Sequence, residues 1–155
     1  MEKVTLVEEV ESHELHTLRR NVLRGGDSAV VVEDPRDGQP GSMHLAVRLD
    51  GSVVTSGSFY VATSPVNPTH SSMQLRYLAT DPIFQSQGLG AALLKEAEAR
   101  LTRRGVDSIW ANSRDTALGF YLREGWEALP GSEHLSPETQ LPHTVIVKQL
   151  RRPEG

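Results

Sequence analysis

The chain has 155 residues, of which 16 are Lys or Arg, 20 are Asp or Glu and 37% are hydrophobic. This length predicts a single domain spanning residues 1–155, and the formal charge of −4 argues against a nucleic-acid or anionic-lipid binder, since both need a basic surplus. Because the chain has no cysteine and no apolar run of about 20 residues, we expect a cytoplasmic protein without disulfides, thiolate metal sites or a membrane segment.

The first periodic segment predicts an amphipathic helix that begins after Ser12 and stops at the glycine pair 25–26. Its apolar residues recur at spacings of three and four: Leu15, Leu18 and Val22. Two strands are then predicted at Met43–Leu49 and Val53–Val61. They flank Asp50-Gly51, a dipeptide that favours a tight hairpin turn.

A third strand is predicted at Gln74–Thr80 and ends at Asp81-Pro82, because proline cannot donate to a sheet. Simple alternation places Leu75 and Tyr77 on one face and Leu78 on the other. A long helix is predicted from Gly88 to Arg104, where apolar residues fall at every fourth position.

The remaining elements are a short strand at Val106–Ala111, a helix at about Asp115–Glu124 with Asp115 as its N-cap, and two strands, Trp126–Leu129 and His143–Leu150. The order of elements predicts a mixed α/β (α+β) fold, mostly antiparallel, with one strand–helix–strand crossover.

The junction between the third strand and the long helix carries the chemistry. It reads Gln85-Ser86-Gln87-Gly88-Leu89-Gly90-Ala91, so several backbone N–H groups are expected at the positive end of a helix dipole. Such a turn suits an anion such as phosphate. A tight turn with close helix packing explains two glycines equally well, and neither the ATP-binding loop nor the dinucleotide-binding motif is matched.

Three ordered segments resemble the GNAT superfamily of N-acyltransferases. Gln85-x-x-Gly88-x-Gly90-Ala91 resembles the acyl-CoA pyrophosphate loop, Leu75–Pro82 resembles the central strand, and Asn112–Arg114 with Ala117–Trp126 resembles the following strand and helix. Glu33-Asp34, His44-Leu45-Ala46 and Pro142-His143 also resemble the ElaA-like branch. The resemblance implies a twisted sheet with splayed central strands and flanking helices, and compatibility with a homodimer.

The same resemblance implies roles for individual residues. The backbone N–H of Leu78 is the candidate oxyanion donor, Tyr121 the candidate general acid, and His143 a candidate for contact with substrate or relay water. The implied co-substrate is acetyl-CoA, with no metal. The residues expected to contact it are Leu78, Thr80, Gln85, Gln87, Gly88, Leu89, Gly90, Ala91, Asn112 and Tyr121.

Two parts of the site stay open. The base could be any of several polar residues: Glu33, Asp34, His44, Glu133, His134 or His143. Gln85 stands where many relatives carry Arg, so a cation for the nucleotide would come from Lys95, Arg114 or Arg123.

The function predicted from these residues is acetyl transfer from acetyl-CoA to a primary amine, on a small molecule or a peptide, by direct attack. One alternative is a module of the same fold that binds acyl-CoA without turnover. The other alternative is a structural scaffold, in which the glycine turn serves only to pack the helix and binds no ligand. Phe120 and Tyr121 as plain core aromatics would fit either alternative.

Overall fold

The computed structural model describes residues 5–23, 25–27 and 29–150. Contacts divide the chain into two units that interleave along the sequence: unit 1 is Met1–Tyr60 and Leu75–Arg100, and unit 2 is Val61–Gln74 and Leu101–Gly155. The strands within the described part are β1 (Glu8–Glu9), β2 (Met43–Leu49), β3 (Ser52–Val61), β4 (Ser72–Thr80), β5 (Ser108–Arg114), β6 (Glu127–Ala128), β7 (His134–Leu135) and β8 (Pro142–Gln149). Its α-helices are α1 (His16–Leu18), α2 (Leu89–Arg103) and α3 (Leu118–Arg123). This mixed, mostly antiparallel architecture confirms the predicted fold class.

Unit 1 is built on antiparallel strands. β1 pairs with β2 and β2 with β3, and β4 follows β3 in the strand order. The β2–β3 turn has Asp50 at φ 51° and Gly51 at φ 82°, and two successive positive φ angles match the twist of a hairpin. The hairpin predicted from Asp50-Gly51 is therefore confirmed.

The segment from Ser12 to Leu23 is helical, but it is not the uniform amphipathic helix that the spacing predicts. A 3₁₀ turn (Ser12–Leu15), α1 and a π turn (Arg19–Leu23) follow one another. Leu15 and Leu18 are buried as expected, and Arg19, with 1% of its surface exposed, is buried with them. A π turn widens the helix locally, and here it coincides with the point where a charged side chain enters the interior.

Helix α2 packs an apolar stripe and stops at Gly105 (φ 81°). The buried residues of the stripe recur as the sequence predicts: Leu89, Leu93, Leu94, Ala97 and Leu101. A Cβ on Gly57 of β3 would stand 3.2 Å from Cδ2 of Leu93, so the missing side chain lets the helix approach the strand closely.

Unit 2 centres on β8. β5 pairs with β8 antiparallel from Ser108↔Gln149 to Arg114↔His143, and β6 and β7 also pair with β8. The parallel ladder between β4 and β5 comprises Ser72–Gln74 and Ser108–Trp110. The predicted strand–helix–strand crossover is thereby confirmed, because the parallel strands β4 and β5 are joined through α2.

Helix α3 begins later than predicted. Asp115 lies within a 3₁₀ turn (Asp115–Ala117) that precedes α3. The N-cap of this turn is Arg114 and that of α3 is Ala117, and neither makes a side-chain capping bond. The N-cap assigned to Asp115 is therefore wrong, although an acidic residue in a first turn still complements the helix dipole. At the other end, Nζ of Lys148 donates to the Glu124 carbonyl at 3.3 Å. Gly125, which directly follows the predicted last residue, has a φ of 88°.

Candidate active site

Strand β4 is interrupted at Tyr77, which has a φ of 62°. A Cβ on Gly57 would lie 3.5 Å from a methyl carbon of Leu75 and equally 3.5 Å from one of Leu78, so these two leucines share a face. The prediction that side chains alternate strictly along β4, which places Leu75 and Leu78 on opposite faces of the sheet, is therefore wrong. The left-handed residue adds one position to the strand, as in a β-bulge, and Leu78 is the residue directly after it.

Polar contacts hold Tyr77 in this conformation, which costs an ordinary side chain about 1–2 kcal/mol. The guanidinium groups of Arg19 and Arg76 both lie over its ring, at 4.5 and 4.6 Å from the ring centre. Its hydroxyl donates to Oδ2 of Asp34 at 2.8 Å. Burial, aided by this carboxylate, raises the pKa of Tyr77 to about 12. These contacts offset the backbone strain and fix the direction of the next peptide group, that of Leu78.

The loop after β4 is tied back to the strand. Asp81 accepts from the N–H of Ile83 at 3.0 Å and starts a 3₁₀ turn. Nε2 of Gln85 donates to the carbonyl of Thr80 at 3.2 Å. Thr80 and Gln85, both expected to contact the co-substrate, therefore contact each other, and the Gln85 side chain holds the loop.

The N-terminus of α2 has the features of an anion cradle. Gly88 has a φ of 78°, and its carbonyl accepts the first helical bond, from the N–H of Ala92 at 3.0 Å. The N–H groups of Leu89, Gly90 and Ala91 come before this first bond, so the helix itself provides no carbonyl acceptor for them. A Cβ on Gly88 would meet nothing within 4 Å, and Gln87 and Gly88 are exposed. The space and the donors fit a phosphate group.

Tyr121 is a buried aromatic residue of α3 with 7% of its surface exposed. Its ring meets Phe120 and Trp126 edge to face, at centroid distances of 5.2 and 5.3 Å. Burial raises the pKa of the phenol above its usual range. Tyr121 is therefore protonated at neutral pH, which is the form that a proton donor needs.

Asn112 and His143 lie on the paired strands β5 and β8, where Asn112 opposes Val145 and His143 opposes Arg114. Asn112 is exposed and His143 half-buried. Nδ1 of His143 lies 2.9 Å from the carbonyl of Leu141. A carbonyl only accepts, so Nδ1 of His143 is the donor in this contact.

The predicted residues fall into two groups. Unit 1 brings together eight of them along one stretch of chain: Leu78, Thr80, Gln85, Gln87, Gly88, Leu89, Gly90 and Ala91. Unit 2 contains the other three: Asn112, Tyr121 and His143.

The chain matches one family of known proteins over most of its length. The family model for the acetyltransferase (GNAT) domain matches residues 43–138. The uncharacterized N-acetyltransferase YitI of Bacillus subtilis (strain 168) is 31% identical over 151 residues, which cover 94% of this chain and 96% of YitI. The chain belongs to the GNAT family. It is an acyl-CoA-dependent N-acetyltransferase, as its motifs predict.

Solved structures share the GNAT fold over nearly the whole chain. A putative N-acetyltransferase from Lactobacillus plantarum has a TM-score of 0.75 at 22% identity and covers 96% of this chain and 100% of its own. Escherichia coli ElaA scores 0.73 at 12% identity, with 94% and 99% covered. An aminoglycoside 6'-N-acetyltransferase, solved as a complex with coenzyme A, scores 0.72 at 11% identity, with 96% and 99% covered. At these identities the likeness shows the fold.

Two of the base candidates in this GNAT protein are fully engaged in hydrogen bonds. The side chain of Asp34, 4% exposed, accepts from Arg36 and Tyr77. Burial raises the pKa of Asp34, but these bonds outweigh burial and lower it. His44 uses both ring nitrogens, at 2.8 Å from the Ser58 hydroxyl and 2.9 Å from the carbonyl of Asp37. Both residues therefore serve the interior of unit 1.

Arg19 and Asp37 form the centre of that interior, and sequence reasoning missed both. Arg19 donates through two nitrogens to the two carboxylate oxygens of Asp37, at 2.9 and 3.1 Å, and to the Ser58 hydroxyl at 2.7 Å. Tyr60 also donates to Asp37. Burial raises the pKa of Asp37, but the bonds from Arg19 and Tyr60 outweigh it and lower the pKa to about 2. For Arg19, the available signal was a basic residue directly after Leu18 and four positions after Leu15, both on the apolar face of the predicted helix.

The other candidates are more accessible. Glu33 is exposed and lines a pocket in unit 1. Glu133 and His134 are exposed, and the ring of His134 lies 6.0 Å from that of His143. The cations proposed for the nucleotide are all exposed: Lys95, Arg114 and Arg123.

Two kinds of feature are absent from the described residues, 5–23, 25–27 and 29–150. No group of three or more His, Cys, Asp or Glu residues there is arranged to hold a metal ion. No helix in the same ranges has the length and apolar character needed to cross a bilayer.

Proposed function

We propose that this chain transfers an acetyl group from acetyl-CoA to a primary amine, with both substrates bound at once and the amine attacking directly. Acetyl-CoA supplies an activated thioester, and the residues of the chain bind it, stabilise charge and supply a proton. The chain has no cysteine, so an acyl-cysteine intermediate is excluded and direct aminolysis is favoured.

The observation that carries the proposal is the N-terminus of α2. The N–H groups of Leu89, Gly90 and Ala91 precede every helical acceptor, and Gly88 leaves open space above the backbone. We assign these groups, with Gln87, to the pyrophosphate of CoA. Backbone donors and the helix dipole attract an anion without a basic side chain, so a net charge of −4 is compatible with an anionic co-substrate.

Leu78 is the proposed oxyanion donor. It directly follows the left-handed Tyr77 (φ 62°), and a bulge turns backbone groups away from the regular ladder. A preorganised N–H that meets the developing negative charge contributes about 2.7–4 kcal/mol in comparable sites. We assign the backbone of Thr80 to an amide of the pantetheine arm.

Tyr121 is the proposed proton donor to the departing thiolate. A free thiol has a pKa of about 8.5 and a free phenol has a pKa of about 10. Burial raises the pKa of the Tyr121 phenol further. Complete transfer is therefore uphill, and Tyr121 acts through a hydrogen bond that strengthens as charge develops on sulfur. We assign Asn112 to an amide of CoA and His143 to substrate or relay water.

The test is release of CoA thiol from acetyl-CoA with a panel of primary amines, run beside calorimetric titration with CoA. Tight CoA binding and amine-dependent thiol release are expected. Binding without release for every amine would instead assign the chain to acyl-CoA sensing, and absence of CoA binding would leave a scaffold. A single domain over residues 1–155, a metal-free reaction, a cytoplasmic location and a homodimer stay predictions.

A further inference from the structure

Tyr77 has an unusual backbone conformation for its place in the fold. Four non-glycine residues of the described ranges have a positive φ: Asp50, Tyr77, Ser86 and Gln140. Asp50, Ser86 and Gln140 lie in turns or loops, whereas Tyr77 lies within β4. A left-handed conformation is strained for a bulky side chain, and it persists only where the surrounding structure holds it. The contacts of Tyr77 therefore decide the local shape of β4.

The backbone of Tyr77 also sets the direction of the N–H group of Leu78. The carbonyl of Tyr77 and the N–H of Leu78 belong to one planar peptide unit. The orientation of that unit follows from the backbone angles of Tyr77, so a change at Tyr77 turns the N–H. A reacting group displaced by about 1 Å can lose about a hundredfold in rate. Whatever holds Tyr77 thus holds the proposed oxyanion donor.

The hydroxyl of Tyr77 makes the most directional of its contacts. It donates to Oδ2 of Asp34 at 2.8 Å, and a hydrogen bond to a carboxylate is short and oriented. The guanidinium groups of Arg19 and Arg76 lie over the ring and are attracted to its whole face. The cations therefore restrain the plane of the ring, and the hydrogen bond fixes the position of its far end.

Asp34 is a firm anchor for this hydrogen bond. Its side chain is 4% exposed, and Arg36 holds both of its oxygens: Nε donates to Oδ1 and Nη2 to Oδ2, each at 3.1 Å. The backbone N–H of Asp34 donates to Oδ2 of Asp37 at 3.0 Å, and Asp37 is in turn paired with Arg19. A carboxylate held in this way keeps the Tyr77 hydroxyl in one place, although the two residues are 43 positions apart in the chain.

We propose that Asp34 and Tyr77 are positioning residues for acetyl transfer: their hydrogen bond holds the left-handed turn that aims the N–H of Leu78 at the oxyanion. The two side chains act through the Leu78 peptide, and no proton moves between them. This assignment rests on the acetyl transfer proposed above, with Leu78 as its oxyanion donor. Asp34, one of the base candidates, thereby serves the reaction without acting on the amine.

The arrangement predicts an effect on kcat rather than on binding. A donor to the carbonyl oxygen gains most when negative charge develops there, so its alignment matters more in the transition state than in the bound substrate. The groups assigned to pyrophosphate, at Gly88–Ala91, belong to a separate stretch of chain after β4. Loss of the bond between Tyr77 and Asp34 should therefore lower kcat and leave the affinity for CoA unchanged.

The main experiment is Tyr77→Phe, which keeps the ring and removes the hydroxyl. Thiol release with an amine substrate should show kcat lowered by about tenfold, less than the loss of about 10²–10³-fold for a whole oxyanion donor. The matched control is Tyr60→Phe, since Tyr60 is also a buried phenol that donates to a carboxylate, that of Asp37. Both variants should lose similar stability in urea, and only Tyr77→Phe should lose kcat. Equal kcat values in the two variants would overturn the proposal.

A second pair of variants tests the strained backbone itself. Tyr77→Gly should keep a higher kcat and a higher urea midpoint than Tyr77→Ala, because glycine adopts a positive φ without steric cost. At Arg76, whose φ is not positive, alanine should be the more stable replacement, since glycine weakens a strand. A more stable alanine at both positions would mean that no left-handed conformation is held at Tyr77, and the positioning role would be wrong.

A spectroscopic measurement separates this proposal from the acetyl transfer. The amide signal of Leu78, followed by NMR in protein with isotope-labelled leucine and assigned by its loss in Leu78→Met, needs no substrate. It should shift in Tyr77→Phe and stay in place in Tyr60→Phe. If amines are acetylated but Tyr77→Phe changes neither kcat nor this signal, the positioning role is wrong and the acetyl transfer stands. If the signal shifts as expected but no amine releases thiol, the acetyl transfer is wrong and the hold of Tyr77 on the Leu78 peptide stands.

Discussion

The two units hold their site residues by different means. In unit 1, the bulge at Tyr77 is held by charged groups, with Arg19 on one face of the ring and Asp34 on its hydroxyl. In unit 2, Tyr121 is held by Phe120 and Trp126, which meet it edge to face. One tyrosine therefore depends on ion pairing and the other on aromatic packing.

This difference separates the two kinds of sensitivity that the protein should show. A buried charged group needs its partner of opposite charge, because removing one member of a buried ion pair leaves the other desolvated and unpaired. Aromatic packing responds mainly to volume and shape. Unit 1 should therefore respond to loss of a charge and to pH, whereas Tyr121 should tolerate a change that keeps its ring.

The largest effect is expected from Arg19→Leu. It leaves the carboxylate of Asp37, whose side chain is 9% exposed, without its cation, at a cost of about 3–5 kcal/mol in the free energy of unfolding. Urea denaturation measures this cost. The double variant Arg19→Leu/Asp37→Asn should recover part of it. A loss below about 1 kcal/mol would mean that the ion pair does not hold unit 1.

Gly88→Asp should weaken CoA binding by at least a hundredfold, since a like charge placed against an anion costs several kcal/mol. Calorimetry with CoA measures the change. Gly105→Asp is the matched control: Gly105 has a φ of 81° against 78° for Gly88, and a Cβ at either position meets nothing within 4 Å. Equal affinity of the two variants would show that the loop is not the phosphate site.

Tyr121→Phe should lower kcat by about 10²-fold, the usual contribution of a general acid, with little change in CoA affinity or melting temperature. The ring contacts with Phe120 and Trp126 remain, so the loss isolates the hydroxyl. Steady-state kinetics and CoA titration on the same preparation give the comparison. An unchanged kcat would remove Tyr121 from the mechanism and leave it as a core residue.

The smallest of these effects is a loss of stability in acid. Asp37 has a pKa of about 2 in the fold and about 3.9 in an unfolded chain. Because the folded pKa is depressed, its contribution of about 2.5 kcal/mol is present above pH 4 and is lost as the pH falls towards 2. Urea titrations between pH 5 and pH 2 should show the decline, and Asp37→Asn should flatten it. A decline of the same size in Asp37→Asn would assign it to other carboxylates.

Local signals predicted much of the fold. Asp50-Gly51 specifies its hairpin through the two positive φ angles that it adopts, and α2 follows from a stripe of leucines and alanines that is buried as expected. These features depend on residues close together in the chain, so periodicity and turn chemistry are enough to find them.

The features that were missed depend on distant residues. Nothing near Tyr77 marks it for a left-handed φ; that conformation is held by Arg19, 58 positions earlier, and by Asp34. The strand β7, with only His134 and Leu135, is too short for any period, and it exists because β8 offers a partner. For the site, the loop at Gly88 was visible in sequence, whereas the bulge at Tyr77 that precedes Leu78 required the folded chain.

The cradle at Gly88 relies on peptide N–H groups, and these groups neither titrate nor change when a side chain is replaced. What the loop requires of its sequence is backbone angles, a φ of 66° at Ser86 and 78° at Gly88, while the side chain of Gln87, exposed to solvent, can be replaced without removing a donor. Relatives can therefore differ widely in the amino-acid sequence of this loop and still bind the same cofactor. A search for its side chains will miss family members that a search for its backbone geometry will find.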